Sequence, residues 1–147
     1  MTSWSTRLPP LAYDLEVTGP VRLEFFAASS VVDTDFTAKL LDVAPDGTAI
    51  NLTEGILRVR YRDSQATPAL LIRGQPYLLS IDLWATSNVF RTGHGLRLEL
   101  SSSNFPRFDR NLNTGKLEAN SATWVKATNS ILHDTAHPSA LILPVVP

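Results

Sequence analysis

The feature that most constrains the fold is a strict alternation of apolar and charged side chains in the second half of the chain. Leu96, Leu98 and Leu100 alternate with Arg97 and Glu99. This is the period of a β-strand that has one buried face and one solvated face. A strand of this kind belongs to a sheet with a core side, so the sequence predicts a layered β-protein.

The same kind of pattern recurs along the chain, and glycine and proline residues separate the apolar runs. The predicted strands cover approximately residues 20–29, 36–43, 48–52, 56–62, 77–83, 96–100, 121–132 and 141–143. Residues 84–92 are interpreted as a polar connection, and no amphipathic segment reaches a convincing helical length. Short strands at this spacing predict an all-β fold, either a sandwich or a jelly roll.

The length of 147 residues allows one sizeable core and is too short for two comfortable ones. Residues 1–13 show no period, and Pro9-Pro10 excludes a helix there. We therefore expect an extended lead-in over residues 1–13 and a single domain over residues 14–147.

The composition excludes several classes of function. Thirteen basic and 14 acidic residues give a formal charge of -1, so no broad positive field is present to hold nucleic acid or an anionic membrane. The absence of cysteine removes disulfides, thiolate nucleophiles and cysteine-ligated metals. Because the first residues carry neither a basic start nor an apolar run, we expect no signal peptide and a cytoplasmic location.

Candidate catalytic and metal-binding residues are few. The chain lacks the Gly-x-Ser-x-Gly elbow of α/β-hydrolases, so the serines at 101–103 are interpreted as structural. His133, Asp134 and His137 would converge only on a helix, which Pro138 disfavours. The two aspartates within residues 31–35 are too few for calcium and fit a turn better. We therefore expect no catalytic residue, metal or cofactor.

The loop after the alternating strand carries dense recognition chemistry, with two aromatic rings, two guanidinium groups, one carboxylate and two carboxamides around one proline. Three roles are open for it: a clamp onto its own sheet, a protein interface, or a site for a polar ligand such as a sugar. The interface or ligand-contact candidates in this loop are Asn104, Phe105, Arg107, Phe108, Asp109, Arg110 and Asn111.

A second group of candidates is a row of arginines. Arg58, Arg60 and Arg62 would share one face of the strand predicted over residues 56–62, opposite Leu57 and Val59. Such a row is typical of a solvated face. It also suits an interface, because planar guanidinium groups form bidentate pairs and stack on aromatic rings.

Several motifs, in order, carry a family resemblance. They occupy residues 15–21, 33–40, 45–47, 51–58, 61–62 and, above all, 102–111, where the sequence runs Ser-Ser-Asn-Phe-Pro-Arg-Phe-Asp-Arg-Asn. From about residue 11 to residue 147 the chain closely resembles the C-terminal, non-catalytic jelly-roll domain of X-prolyl dipeptidyl peptidases, cocaine esterase and α-amino-acid ester hydrolases.

The resemblance implies a galactose-binding-domain-like β-sandwich that packs on an α/β-hydrolase domain, supplied in trans or by a longer parent protein. The family's Ser, Asp and His triad lies in that hydrolase domain, and no position here matches it, so no hydrolase activity is expected from this chain alone. The relatives' jelly roll begins further upstream, which implies one or more missing strands and an unpaired edge open to a homo-oligomer.

Two other functions are considered beside this one. The first is a carbohydrate- or small-ligand-binding sandwich, in which Phe105, Phe108 and Trp84 supply stacking surfaces. The second is a free-standing esterase or peptidase that uses His133 and Asp134.

Overall fold

The computed structural model describes residues 3–116 and 122–147. The segment at 117–121, which falls in the predicted excursion and at the start of the strand predicted over residues 121–132, lies outside the described residues. The strands are β1 (Trp4–Arg7), β2 (Leu15–Ser29), β3 (Asp35–Val43), β4 (Ala49–Arg58), β5 (Tyr77–Phe90), β6 (Gly95–Ser101), β7 (Asn129–Leu132) and β8 (Ala140–Ile142). One turn of 3₁₀-helix, Val59–Tyr61, follows β4 directly.

The strands form two antiparallel sheets. The first sheet has the order β1-β6-β3-β4. The second has the order β5-β2-β7, and β8 pairs with another part of the same edge of β2. All of the strand pairings are antiparallel. The architecture is a β-sandwich, which confirms the predicted all-β class.

The core lies between the two sheets and follows from the alternation in the sequence. The three leucines of β6 are at most 6% exposed, and they face buried side chains of β2. Phe25 of β2 and Phe36 of β3 meet edge to face across the layers, with ring centroids 5.3 Å apart and an interplanar angle of 78°. This contact between strands of different sheets fixes how the layers face each other.

The sandwich is closed along one side, where β4 and β5 approach each other. A Cβ added at Gly55 of β4 would lie 2.1 Å from the carbonyl oxygen of Asp82 in β5, and the Thr53 hydroxyl donates a hydrogen bond to the carbonyl of Leu83. On the opposite side the outermost strands are β1 in one sheet and β7 and β8 in the other. A groove runs between those strands.

The structure corrects several of the expected strand boundaries. β2 begins at Leu15 instead of residue 20, and β4 runs from Ala49 to Arg58 without the break expected between residues 52 and 56. Trp4–Arg7 forms a strand inside the expected lead-in, because it pairs with β6 even though its side chains show no buried period. β5 continues through the expected polar connection to Phe90. It does so past an irregularity in its pairing with β2, where Trp84 takes a φ of 66° and its amide donates to the side chain of Asp82.

The strand predicted over residues 56–62 is wrong beyond Arg58, where the chain turns into the 3₁₀-helix. The Val59 amide donates to the carbonyl of Thr34 at 3.0 Å, so the backbone bends toward the segment before β3. The strand predicted over residues 121–132 is reduced to Asn129–Leu132. In the described part of the chain, no helix has the length and apolar character needed to cross a membrane.

Candidate functional site

The candidate site is the loop of residues 104–111, which is fastened to the segment leading into β3 by a pair of aspartates. The Asn111 side-chain amide donates to Asp33 and to Asp35, both at 2.8 Å. Asp33 and Asp35 are 0% and 1% exposed. Because one carboxamide bridges two buried carboxylates, the end of the loop is fixed to the sheet.

Arg60 neutralises the deeper of these carboxylates. Its Nη2 lies 2.7 Å from Asp33 Oδ2, and its Nε and backbone amide also donate to the same carboxylate. The guanidinium is buried and also donates to the carbonyl of Lys116 at 3.1 Å. Arg60 thus holds the interior of the site and offers no free surface for a partner.

Arg58 connects the buried and exposed parts of the site. It donates to both oxygens of Asp35, at 2.9 and 3.0 Å, and to Asp109 in the loop, at 3.2 and 3.4 Å. The hydrogen bonds that Arg58 donates to Asp35, the charge of that carboxylate and the hydrogen bonds to Asp109 raise the pKa of Arg58 above its ordinary value, against the opposing effect of burial. The guanidinium therefore stays charged and bridges the loop to β3.

Arg62 lies away from this cluster. Its Nη1 donates to the carbonyls of Val59 and Ala69, at 3.2 and 2.6 Å, and its guanidinium stacks 4.6 Å from the centre of the Tyr77 ring. The expected row of arginines on one strand face is therefore wrong. The 3₁₀-helix after Arg58 replaces the alternation of a strand, so the three arginines take three different environments.

Glu54 of β4 anchors the other half of the loop. Arg107 forms an ion pair with it, and the ammonium of Lys39 lies 3.4 Å away. Burial raises the pKa of Glu54, but the nearby side-chain amide of Asn104, the hydrogen bond from Arg107 and the charge of Lys39 outweigh this and leave the pKa below its ordinary value. Glu54 is therefore charged and anchors the loop through its ion pair with Arg107.

The outward side of the loop carries stacked cations and rings. The Arg110 guanidinium lies 4.3 Å from the centre of the Phe105 ring, and that of Arg107 lies 5.6 Å from the centre of the Phe108 ring. Phe105 is 56% exposed. We call Phe105, Arg107 and Arg110 the loop surface; it presents apolar area and positive charge on a backbone that buried groups hold in place.

The structure divides the loop candidates among three places. Asp109 and Asn111 join Arg58 around the buried aspartates. Arg107 pairs with Glu54, which Asn104 also approaches. Phe105, Phe108 and Arg110 belong to the stacked groups on the outward side. The sequence interpretation missed Asp33, Asp35 and Glu54 as members of the site. Asp33 and Arg60 are 27 residues apart, and Asp33 and Asn111 are 78 apart, so no local spacing signals their contact.

The other polar clusters have structural partners. The Ser101 and Thr37 hydroxyls lie 2.7 Å apart, and Ser101 also donates to the carbonyl of Ser103. Asp134 accepts the amides of Ala136 and His137 and contacts the His137 ring. The hydrogen bond from His137 is the main cause that holds the pKa of Asp134 below its ordinary value. This is the geometry of a turn.

The described side chains do not form a metal site. Within residues 3–116 and 122–147, no three His, Asp or Glu side chains are grouped so that they could hold an ion. His94 pairs with Asp42, with the Nδ1 atom 2.8 Å from the carboxylate.

Comparison with known proteins places this geometry in a family. The sequence profile of the family described as "X-Pro dipeptidyl-peptidase C-terminal non-catalytic domain" matches residues 5–142. The chain belongs to this family. The match includes all of the residues that build the loop site, so the site is part of the family domain.

Individual relatives of the X-Pro dipeptidyl-peptidase C-terminal domain agree with this assignment. A cocaine esterase from Rhodococcus sp. (strain MB1 Bresler) is 49% identical over 134 residues, which cover 90% of this chain and 23% of that protein. An α-amino acid ester hydrolase has a TM-score of 0.93 at 29% identity, over 98% of this chain and 25% of that one.

A third relative is an aminopeptidase from a marine sediment archaeon, Thaumarchaeota archaeon. Its structure matches with a TM-score of 0.93 at 28% identity, over 99% of this chain and 26% of that one. The chain therefore spans about a quarter of the length of the relatives it matches. It corresponds to the non-catalytic C-terminal domain of longer proteins.

Proposed function

We propose that this chain is an interface module that packs on an α/β-hydrolase domain of the X-prolyl dipeptidyl peptidase and esterase type. The family to which it belongs is described as non-catalytic. Relatives such as the cocaine esterase and the α-amino acid ester hydrolase are about four times as long as the part that matches. The hydrolytic reaction then belongs to the remainder of such a protein.

The observation that carries the proposal is the rigid support beneath the loop surface. Asp33, Asp35 and Glu54 hold the loop from the sheet side and leave Phe105, Arg107 and Arg110 directed outward. Aromatic and arginine residues are enriched where protein interfaces gain most of their affinity. A surface already fixed in place loses little conformational entropy when it binds.

The same geometry weakens the carbohydrate alternative at this loop. A sugar ring stacks on an open aromatic face, whereas the Arg110 and Arg107 guanidinium groups already occupy faces of Phe105 and Phe108. Arg110 has no carboxylate partner among the described residues, and a guanidinium stacked on a ring keeps its N–H groups free at its edge for a partner's carboxylates or carbonyls. This favours a protein surface as the partner.

The test is binding in trans. The chain is titrated by biolayer interferometry against the Rhodococcus cocaine esterase from which the matching segment has been removed. We expect saturable binding that Arg110→Ala weakens at least about tenfold, the size expected for an interface anchor. Arg22→Ala is the control, because Arg22 is an exposed arginine of β2 in the second sheet.

Two results would contradict the proposal. One is the absence of binding when both proteins are folded by circular dichroism. The other is equal binding by the Arg110→Ala and Arg22→Ala variants, which would move the interface away from the loop surface.

A further inference from the structure

The open side of the sandwich contains a cavity that is independent of the loop surface. It has a volume of about 420 Å³ and lies between the β1–β6 edge of the first sheet and the β7–β8 edge of the second. Its lining is mainly apolar: buried core side chains, including Leu98 and Leu100, lie beneath it, and Leu8, Ile131, Leu141 and Leu143 offer accessible surface. A cavity of about 150 Å³ already holds benzene when its lining is apolar, so this one admits a considerably larger apolar group.

Few polar groups line this cavity. The rings of Trp4 and His133 both belong to the lining, and their centroids lie 6.3 Å apart. Within the described residues the His133 ring has no hydrogen-bond partner. The Ser139 hydroxyl also lines the cavity, but it is already committed to the carbonyl of Leu132. His133 is exposed and therefore marks the mouth of the cavity with a polar group that is free to contact a ligand.

A second, smaller cavity of about 260 Å³ adjoins the mouth and adds a positive charge. The two cavities share Trp4, Leu100 and Ile131 in their linings. Lys126 lines the smaller one, and among residues 3–116 and 122–147 it has no carboxylate partner. An apolar chamber that leads to an unpaired ammonium and a free imidazole is complementary to an amphiphilic anion.

We propose that the open side of the sandwich binds a monocarboxylate with an apolar body of about eight to ten carbon atoms. The apolar body lies over the buried β6 leucines and against Leu8, Ile131 and Leu141, and the carboxylate faces Lys126 and His133. This site lies at the groove between the sheets and uses none of the residues of the loop surface. Its test is therefore independent of the test of the proposed interface.

The probe is sodium octanoate, titrated into the full chain by isothermal calorimetry, with 1-octanol as the uncharged analogue. We expect one saturable site for octanoate. Thr6→Phe should weaken binding at least tenfold, because Thr6 is an exposed residue that lines the cavity. Ser5→Phe is the matched control, since the neighbouring side chain of the same strand does not line the cavity.

A separate variant tests whether the carboxylate of octanoate binds at Lys126. Lys126→Gln should weaken octanoate binding about two- to fivefold, the range expected for an exposed charge pair, and should leave 1-octanol binding unchanged. Equal loss for both compounds, or no loss for either, overturns the assignment of the carboxylate to Lys126.

Other outcomes overturn the site as a whole. They are the absence of saturable octanoate binding at millimolar concentration, and equal binding by the Thr6→Phe and Ser5→Phe variants. Sedimentation velocity is run in parallel. A dimer that Thr6→Phe converts to a monomer would show that a second copy of the chain occupies the groove in place of a carboxylate.

Discussion

The Nη2 atom of Arg60 lies 2.7 Å from Oδ2 of Asp33, and the two side chains are only 4% and 0% exposed. Burying such an ion pair costs the solvation free energy of both charges. Once the pair is formed, removing one partner leaves the other charge buried without compensation. Asp33 also accepts the Asn111 amide, so the pair supports both the 3₁₀-helix after β4 and the loop surface.

Removing one partner of this pair should destabilise the domain strongly. We expect Arg60→Met to lower the free energy of unfolding by about 3–5 kcal/mol, because Asp33 would remain buried without its counter-ion. The Asp33→Asn/Arg60→Met double variant should lose less than the sum of the two single variants. Urea denaturation followed by circular dichroism measures all of these variants.

An exposed ion pair provides the control for this prediction. Arg22 lies 3.1 Å from Glu24, but their side chains are 56% and 38% exposed. Arg22→Met should change the free energy of unfolding by at most about 1 kcal/mol. Equal losses for Arg60→Met and Arg22→Met would contradict the importance assigned to the buried pair.

The contrast between the sheet and the loop site shows what the sequence could reveal. Strict alternation placed β6 almost to the residue, because burial on one face is a local property of a strand. The pair of Asp33 and Arg60 left no such trace, since it is formed only when segments 27 residues apart meet. The second half of β5 was likewise not predicted, because Trp84, an exposed aromatic residue with a positive φ, breaks the alternation there.

Asn111 should control the mobility of the loop more than the global stability. Asn111→Asp replaces a donor with a third carboxylate beside Asp33 and Asp35. A hydrogen bond to a charged group contributes about 1.5–3 kcal/mol, and like charges repel. We expect the Phe105 and Phe108 amides to exchange with deuterium at least about tenfold faster, as measured by NMR at neutral pH.

Asn111→Ala separates the two causes in this experiment. It removes the donor without adding a charge, so its exchange rates should fall between those of the original chain and those of Asn111→Asp. Identical rates for the Ala and Asp variants would show that repulsion has no role. Unchanged rates in both would show that the Asn111 bridge does not hold the loop.

Asp14 should make the stability of the domain depend on pH in acid. It accepts hydrogen bonds from the Thr92 amide at 2.7 Å, from the Arg91 guanidinium at 2.9 Å and from the Thr92 hydroxyl at 2.9 Å. These bonds, led by the Thr92 amide, lower the pKa of Asp14 from 3.8 to about 2. The carboxylate thereby ties the segment before β2 to the turn between β5 and β6.

Since the folded pKa lies below the unfolded value, the contribution of Asp14 is complete above about pH 4 and is lost as the pH falls toward 2. Asp14→Asn should therefore lower the melting temperature at pH 6 and should differ little from the original chain at pH 2. A deficit of Asp14→Asn that stays constant from pH 6 to pH 2 would contradict the role of the carboxylate charge.

Gly55 should determine whether the closed side of the sandwich can form. A Cβ at this position would lie 2.1 Å from the Asp82 carbonyl oxygen and 2.8 Å from Cγ2 of Ile81. The obstructing oxygen belongs to the backbone of β5, which cannot move aside as the end of a flexible side chain can. Gly55→Ala must therefore push β4 and β5 apart.

We expect Gly55→Ala to lower the free energy of unfolding by an amount at or above the upper end of the roughly 1–3 kcal/mol typical of overpacking, measured by urea denaturation. Ile50→Thr, at an exposed position of the same strand, should change stability by less than about 0.5 kcal/mol. Because the Thr53 hydroxyl bonds to Leu83 across the same junction, Gly55→Ala should also weaken that contact and speed amide exchange in the middle of β5. Gly55→Ala with the stability of the original chain would mean that the two sheets are further apart at this edge than the structure shows.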